Sequence, residues 1–183
     1  LKRRSKQPKK VKFLQASLYG IRNGRYKKYR FHTFRFDPAK FQLHTSKQFL
    51  PLLEKEDGTI ESMVQRVVRQ AKAAGLTNAI TLATNTSQLD IITNQLGDTV
   101  SVVTEPECRD TFPAIALAAS YLHFAKCCAD DEVIVIMPCD PYTEADYFET
   151  IGKMVECVKR DVAELVLMGI TPTYPSEKYG YVM

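Results

Sequence analysis

Hydrophobic residues between positions 59 and 170 follow two alternating spacings, one typical of helices and one typical of strands. In residues 59–74 apolar side chains recur every three or four positions and Gly75 follows, which predicts an amphipathic helix. Residues 79–83 are rich in Ile, Leu and Thr and predict a short strand. A second helix is predicted at residues 86–96, and a second strand at residues 100–103.

The second half of the chain continues this alternation. Five consecutive apolar residues, 133–137, predict a strand that is covered on both faces, and they make the best candidate for a central strand. The other predicted elements are a helix capped by Thr111 that runs to about residue 127, a helix that begins with a capping box at Thr143 and runs to about residue 162, and a strand at residues 165–170.

Strands and helices that alternate with short connections predict an α/β fold with a doubly wound, mostly parallel, Rossmann-like sheet. In such sheets ligands bind beyond the carboxyl ends of the strands. Three segments with polar, charged or glycine residues are expected there, namely residues 105–111, 138–140 and 171–181. Candidate chemistry is therefore sought in these segments.

Asp140 follows the predicted strand 133–137 closely, so its carboxylate is expected at the carboxyl edge of the sheet. A hard divalent cation such as Mg²⁺ could there bridge this carboxylate to phosphate oxygens. An Asp that only caps the turn formed with Pro141 explains the position equally well. The neighbouring Cys139 is better explained as a buried thiol than as a nucleophile, because no His lies near it in sequence.

Three further positions have a functional and a structural interpretation. Arg109 lies between a predicted strand and a helix start, where it and backbone amides could hold an anion or a nucleotide, yet the segment is also an ordinary charged loop. Lys47 is a lone cation before the first helix, and such lysines are usually solvated surface residues. Gly180, between Tyr179 and Tyr181, would let a loop approach a ligand closely, or would form a plain turn.

The charge of the chain is divided unevenly along its length. Residues 1–40 hold fourteen Lys and Arg and one Asp, a net charge of +13, and the remainder has a net charge of −9. This division predicts a basic arm joined to a separate globular body. Basic and aromatic residues that alternate in the arm are compatible with nucleic-acid binding, but no recognition motif accompanies them and an unstructured tail is favoured. A strand at residues 11–18 is a weaker expectation.

The five cysteines and three histidines indicate neither a disulfide framework nor a zinc site, because no C-x-x-C pair occurs and the histidines are scattered. Reduced thiols in the core are the expected state of the cysteines. No segment approaches the roughly 20 apolar residues of a membrane span, and the start of the chain has no apolar signal core. The expected compartment is the cytoplasm.

Four segments together resemble the mannose-1-phosphate guanylyltransferase family. Lys47-Gln48-Phe49-Leu50 resembles its P-K-Q-F-L element, and Pro138-Cys139-Asp140-Pro141 its P-S-D-H. The other two segments are Glu105-Pro106 with Arg109 through Ile115, similar to E-P-x-x-R-N-T-A-P-A-I, and Gly169 through Val182, similar to G-I-x-P-T followed by T-G-Y-G-Y-I. The four occur in the family's order on the corresponding parts of the predicted sheet.

The resemblance implies transfer of GMP from GTP to mannose 1-phosphate, giving GDP-mannose and pyrophosphate. Mg²⁺ and cationic side chains would offset the charge that develops during in-line attack on the α-phosphorus. The resemblance also implies a role for each matched residue. Lys47 would contact phosphate, Asp140 would hold the metal, Glu105, Arg109 and Thr111 would line the nucleotide site, and Gly180 would face the sugar.

One departure from the family lowers the expected activity. Family members open with a glycine-rich loop, G-G-x-G-x-R-L-x-P-L-S, whose amides cradle the triphosphate, and only Gly20 and Gly24 precede Lys47 here. Each lost contact of that kind costs roughly 2–4 kcal/mol of transition-state stabilisation, so we expect very low or no turnover.

We therefore expect two parts, a basic non-homologous or poorly ordered segment at residues 1–45 and a partial nucleotidyltransferase domain at residues 46–183. The alternatives are a catalytically inactive fragment, a protein that senses a sugar nucleotide, and a degenerate domain with a nucleic-acid-binding arm.

Overall fold

A computed structural model describes residues 11–16, 46–77, 79–140, 142–171, 175 and 177. Its strands are β1 (Val11–Ala16), β2 (Pro51–Glu54), β3 (Ile60–Ser62), β4 (Ile80–Asn85), β5 (Ser101–Glu105) and β6 (Val133–Met137). Its α-helices are α1 (Met63–Ala73), α2 (Leu89–Leu96), α3 (Thr111–Ser120) and α4 (Ala145–Lys159). Short 3₁₀ turns occupy Lys47–Phe49, Thr86–Gln88 and Gly97–Thr99, and a π-helical segment, Tyr121–Ala125, continues α3.

The main sheet has four strands in the order β5-β4-β1-β6, and each neighbouring pair is parallel. Parallel neighbours require crossover connections, which place helices on the faces of the sheet. This topology confirms the predicted doubly wound, parallel α/β fold. β2 and β3 form a separate antiparallel hairpin, which the hydrophobic pattern did not predict.

Helices cover both faces of the sheet. Leu82 of β4 belongs to the larger core, which it shares with buried residues of α1, α2 and α4. The next residue, Ala83, packs in a smaller core with Ala118 and Leu122 of the α3 segment. Because successive residues of a strand point to opposite faces, α1, α2 and α4 lie on one face and α3 on the other.

The strand expected near residues 11–18 is present as β1, and it lies between β4 and β6. Phe13 is paired with Ile80 of β4 on one side and with Val135 of β6 on the other. Residues 1–45, expected as a separate basic segment, therefore include one inner strand of the sheet. The rest of that segment, residues 1–10 and 17–45, lies outside the described residues.

The first helix begins later than predicted. Residues 60–62 pair with β2 as a strand, and α1 starts only after Ser62. Ser62 and Gln65 form a capping box, in which each side chain bonds the backbone amide of the other. Ile60 lies four residues before Val64 and fits the helical spacing, so the spacing alone extended the predicted helix too far.

The prediction that residues 133–137 form a strand covered on both faces was wrong. β6 is an edge strand among the described residues, and Ile134 and Ile136 on its α3 side are 39% and 47% exposed. The predicted strand at residues 165–170 is absent, and Leu165, Leu167 and Ile170 are each more than 70% exposed. An apolar run has strand propensity, but it becomes a strand only where a neighbour completes its hydrogen bonds.

Two predicted helix caps were also wrong. Asp110, not Thr111, is the N-cap of α3, and Thr111 is already helical. Glu144, not Thr143, is the N-cap of α4, and neither cap residue makes a side-chain cap bond. The carbonyl of Thr143 instead accepts hydrogen bonds from α1, which holds this residue outside the helix.

The cysteines are free thiols, but only Cys139 is buried, and Cys108 and Cys127 are exposed. The expectation that all five lie in the core was therefore wrong. Within the described part of the chain, no helix combines the length and the apolar character that crossing a membrane requires.

Candidate active site at the carboxyl edge of the sheet

Three strands bring their last residues to one edge of the sheet. β4 ends at Asn85, β5 at Glu105 and β6 at Met137, and all three run in the same direction. The segments that follow these residues contain Gln88, Arg109 and Asp140. This carboxyl edge is where parallel α/β sheets bind ligands.

Lys47 and Asp140 lie together at this edge. Lys47 Nζ is 3.5 Å from Asp140 Oδ2, and the two side chains are 77% and 42% exposed. An ammonium group and a carboxylate that both face solvent can exchange their mutual contact for contacts with a charged ligand. The pair thus offers a cationic partner for phosphate next to a hard oxygen ligand for a divalent cation.

Buried side chains hold the turn that carries Lys47. Gln48 and Phe49, directly after it, are buried, so only the lysine of this turn extends into solvent. Gln88 Nε2 donates to Ser46 Oγ at 3.0 Å, and Gln95 Nε2 donates to the carbonyl of Phe49 at 2.8 Å. The turn is therefore fixed on both sides of Lys47 by amide side chains from the β4–α2 region.

Gln95 connects three parts of the molecule. Its Oε1 accepts a hydrogen bond from Ser62 Oγ at 2.6 Å, and its backbone carbonyl accepts one from Gln65 Nε2 at 3.0 Å. With the bond to Phe49, this residue of α2 joins the start of α1 to the Lys47 turn. Partly buried hydrogen-bond networks of this kind favour one arrangement, because an unpaired member would be costly.

The β5–α3 junction forms a second group of candidate residues. Glu105 is buried at the end of β5, and burial raises the pKa of its carboxyl group. Arg109 is largely exposed, and its guanidinium donates twice to Glu107 Oε2, at 3.0 and 2.6 Å. Thr111 begins α3, so the unpaired amides of the first turn, which can bind an anion, lie beside it.

The two groups lie on the same edge but not side by side. β5 and β6 are separated by β4 and β1, which corresponds to about 14 Å across the sheet. A nucleotide, with its phosphates at one end and its base at the other, has the extended shape that such an arrangement can accommodate. Gly180, the predicted sugar-facing residue, lies outside the described residues.

The exposed carboxylate of Asp140 is a hard oxygen ligand of the kind that Mg²⁺ prefers. No group of three His, Cys, Asp or Glu within metal-binding reach occurs among the residues that the structure describes. Mg²⁺ is commonly held by one or two carboxylates together with substrate phosphates and water. The exposed Asp140 therefore fits a Mg²⁺ ion that arrives with a nucleotide.

Sequence reasoning missed the residues that hold this site. Gln88, Ile92 and Leu96 recur at four-residue spacing, and all three are buried. A glutamine at a position of the apolar stripe indicates a buried amide that needs a hydrogen-bond partner, and this pattern could have identified Gln88. No comparable signal marks Arg66 and Gln70, because they lie on the polar side of the α1 pattern and contact residues that are distant in sequence.

Two curated proteins are similar in sequence to this chain. The chain is 31% identical over 143 residues to a mannose-1-phosphate guanylyltransferase of Sinorhizobium fredii (strain NBRC 101917 / NGR234), a match that covers 75% of this chain and 26% of that protein. It is 28% identical over 144 residues to the enzyme of the same name from Salmonella montevideo, covering 74% of this chain and 27% of that protein. The chain thus spans about a quarter of the length of these curated relatives.

A solved structure supports the fold. The crystal structure described as mannose-1-phosphate geranyltransferase from Thermus thermophilus superposes with a TM-score of 0.54 at 17% identity, covering 81% of this chain and 38% of that one. The sequence profile of the family described as Nucleotidyl transferase matches residues 43–183. This match covers most of the chain, and the chain therefore belongs to the nucleotidyl transferase family.

Proposed function

We propose that the chain is the nucleotide-binding part of an enzyme that transfers GMP from GTP to mannose 1-phosphate, releasing pyrophosphate. The observation that carries this proposal is the contact between Lys47 and Asp140 at the carboxyl edge of a parallel sheet. The relatives named mannose-1-phosphate guanylyltransferase support the choice of GTP and mannose 1-phosphate within the family.

In the proposed reaction a phosphate oxygen of mannose 1-phosphate attacks the α-phosphorus of GTP. A new oxygen–phosphorus bond forms, and the bond to the β-phosphate oxygen breaks, so that pyrophosphate leaves with the electron pair. Lys47 would neutralise charge on the phosphates, and Asp140 would hold the Mg²⁺ ion. When bound, Mg²⁺ supplies Lewis-acid stabilisation of the phosphate oxygens.

The β5–α3 junction would hold the remainder of the nucleotide. Glu105, Arg109 and Thr111 line this end of the carboxyl edge, and Arg109 would have to exchange Glu107 for the ligand. This exchange costs little, because both partners of the ion pair are exposed. Gly180 is proposed to face the sugar on the basis of the family resemblance.

The test is equilibrium binding of GTP, with ATP and UTP as competitors, in the presence of Mg²⁺, together with a radiolabel assay for GDP-mannose. We expect selective GTP binding that is weaker in Asp140→Asn. We also expect transfer to be about 10²–10³-fold slower for each missing phosphate-loop contact. Selective GTP binding with transfer too slow to detect agrees with the proposal, because the phosphate-loop contacts are missing, and no GTP binding at all would overturn it.

A further inference from the structure

The segment after Asp140 is tied to α1 through one backbone carbonyl. The carbonyl oxygen of Thr143 accepts hydrogen bonds from Arg66 Nη2 at 3.3 Å and from Gln70 Nε2 at 3.1 Å. Arg66 and Gln70 are four residues apart on α1, so they project from the same side of the helix. Two donors that meet on one acceptor restrict its position more than either donor would alone.

Arg66 also contacts the residues on either side of Thr143. Its guanidinium lies over the ring of Tyr142, 4.4 Å from the ring centroid, and its Nη2 is 3.7 Å from Glu144 Oε2. Three consecutive residues, 142–144, thus contact one side chain. The Arg66 side chain is only 12% exposed, so the charge is largely removed from water. A planar guanidinium can stack and donate at once, which a lysine ammonium cannot do.

Asp140 lies between two anchored points. On one side Cys139 is buried, with 3% of its surface exposed, in the same core as α1 and α4. On the other side the Arg66 contacts begin at Tyr142. The backbone of Asp140 is therefore held within a short span, and its carboxylate is directed to the exposed edge where it meets Lys47.

We propose that Arg66 is a positioning residue for Asp140, which acts through residues 142–144 to set the affinity of the site for a divalent cation bound to a nucleoside triphosphate. This inference rests on the proposed function, because it takes Asp140 as the metal ligand. The contacts of Arg66 are with residues 142–144 and not with Asp140, so its effect on the cation would be indirect. Loss of the outer partners that orient a metal ligand commonly weakens metal binding by about 10–100-fold.

Arg69 provides a matched control on the same helix. It donates to Glu61 from Nε at 3.0 Å and from Nη2 at 2.6 Å, and Glu61 belongs to the β2–β3 hairpin. Replacing Arg66 or Arg69 by Met removes the same charge from α1 and breaks an ion pair in each case. Only the Arg66 change releases the segment that follows Asp140.

The experiment titrates the full 183-residue chain into a preformed Mn²⁺–GTP complex and follows the electron paramagnetic resonance spectrum of Mn²⁺, which gives the dissociation constant of that complex from the chain. Circular dichroism first establishes that each variant is folded at the measuring temperature. We expect Arg66→Met to weaken Mn²⁺ binding about 10-fold or more, and Arg69→Met to change it less than about 2-fold. Gln70→Met, which removes one donor and leaves the charge of Arg66, is expected to weaken it about 3-fold.

A double-mutant cycle separates positioning from general destabilisation. If Arg66 acts through Asp140, Arg66→Met should cause little further loss of Mn²⁺ affinity in a chain that already carries Asp140→Asn. Equal weakening by the Arg66 and Arg69 variants, or additive losses in the cycle, would overturn the positioning role while leaving the proposed function in place. Absence of any Asp140-dependent Mn²⁺ binding in the unaltered chain would overturn both.

Discussion

The ammonium nitrogen of Lys47 lies 3.5 Å from a carboxylate oxygen of Asp140, although a hairpin, three helices and three strands of the main sheet separate the two residues along the chain. Both side chains are substantially exposed. An ion pair in such a position contributes little to the free energy of unfolding, commonly about 0–1 kcal/mol. The contact between Lys47 and Asp140 therefore adds little to the stability of the fold.

Replacing Lys47 by Met should show whether this side chain contributes to stability or to ligand binding. We expect the free energy of unfolding to change by less than about 1 kcal/mol, because the ion pair is exposed. Affinity for GTP with Mg²⁺ should fall about 10-fold, since a charge-assisted hydrogen bond to phosphate is lost. Urea unfolding and equilibrium GTP binding measure the two quantities.

Lys55→Met is the matched control for that change. Lys55 forms a similar long ion pair with Asp57, at 3.8 Å, on the β2–β3 hairpin. It should match the Lys47 variant in stability and leave GTP affinity unchanged. Equal loss of GTP affinity in both variants would show that nonspecific charge, not the position of Lys47, is responsible.

Replacing Gln95 by Glu tests the amide network with almost no change of shape. The Nε2 donor to the Phe49 carbonyl becomes a carboxylate oxygen, so two acceptors face each other. We expect a loss of about 1–3 kcal/mol in the free energy of unfolding, together with weaker GTP binding, because the Lys47 turn loses its tie to α2. Asn94→Asp makes the equivalent change at the adjacent exposed position and should cost less than about 0.5 kcal/mol.

Glu105→Gln should alter the pH dependence of stability. Burial raises the pKa of Glu105 above its ordinary value of 4.5, so the folded chain binds this proton more tightly than the unfolded chain does. The stabilisation is fully present below the ordinary pKa and is lost as pH rises through the raised value. The variant should therefore become more stable relative to the unaltered chain as pH increases over this range, when both are followed by thermal unfolding.

The same substitution at the exposed Glu149 controls for loss of a negative charge. If Glu149→Gln produced the same pH-dependent gain as Glu105→Gln, burial of Glu105 would not be its cause.

Truncation of the chain should distinguish the basic arm from β1. Deleting residues 1–10 removes six Lys and Arg but no residue of β1, and we expect cooperative thermal unfolding to persist. Deleting residues 1–16 removes the strand that pairs with both β4 and β6, so cooperative unfolding should be lost. Persistence of the same transition in the longer deletion would contradict the inner position of β1. A test of nucleic-acid binding by the basic arm should delete only residues 1–10, because a deletion of residues 1–40 would also remove β1.

The hydrophobic pattern predicted the fold where a segment's own spacing determines its structure. Residues 133–137 were identified as a strand with the bounds that β6 has, and Asp140 was expected at the carboxyl edge because it follows that strand. The hydrophobic spacing placed the start of the first helix too early, because Ile60 fits both a helical stripe and a strand of a hairpin. Ser62 and Gln65 have the residue types and spacing of a capping box, which would have indicated the correct helix start.

Other features depend on partners that are distant in sequence. Residues 165–170 have strand propensity, but a ladder requires a neighbour that the propensity does not identify. The contact of Lys47 with Asp140, and the bonds from Arg66 and Gln95, arise only when separate elements pack together. Only the family resemblance linked Lys47 and Asp140 as members of one site before the fold was known.

The exposed side of β6 has a practical consequence for the behaviour of the protein in solution. Within the described sheet, β6 pairs with a neighbour along one edge only, so the backbone amides and carbonyls of its other edge can pair with a strand of another chain. Ile134 and Ile136 add exposed apolar surface to the same strand. Concentrated samples are therefore expected to self-associate through lateral β-pairing, with light scattering that grows with concentration and diminishes when a lysine replaces Ile136.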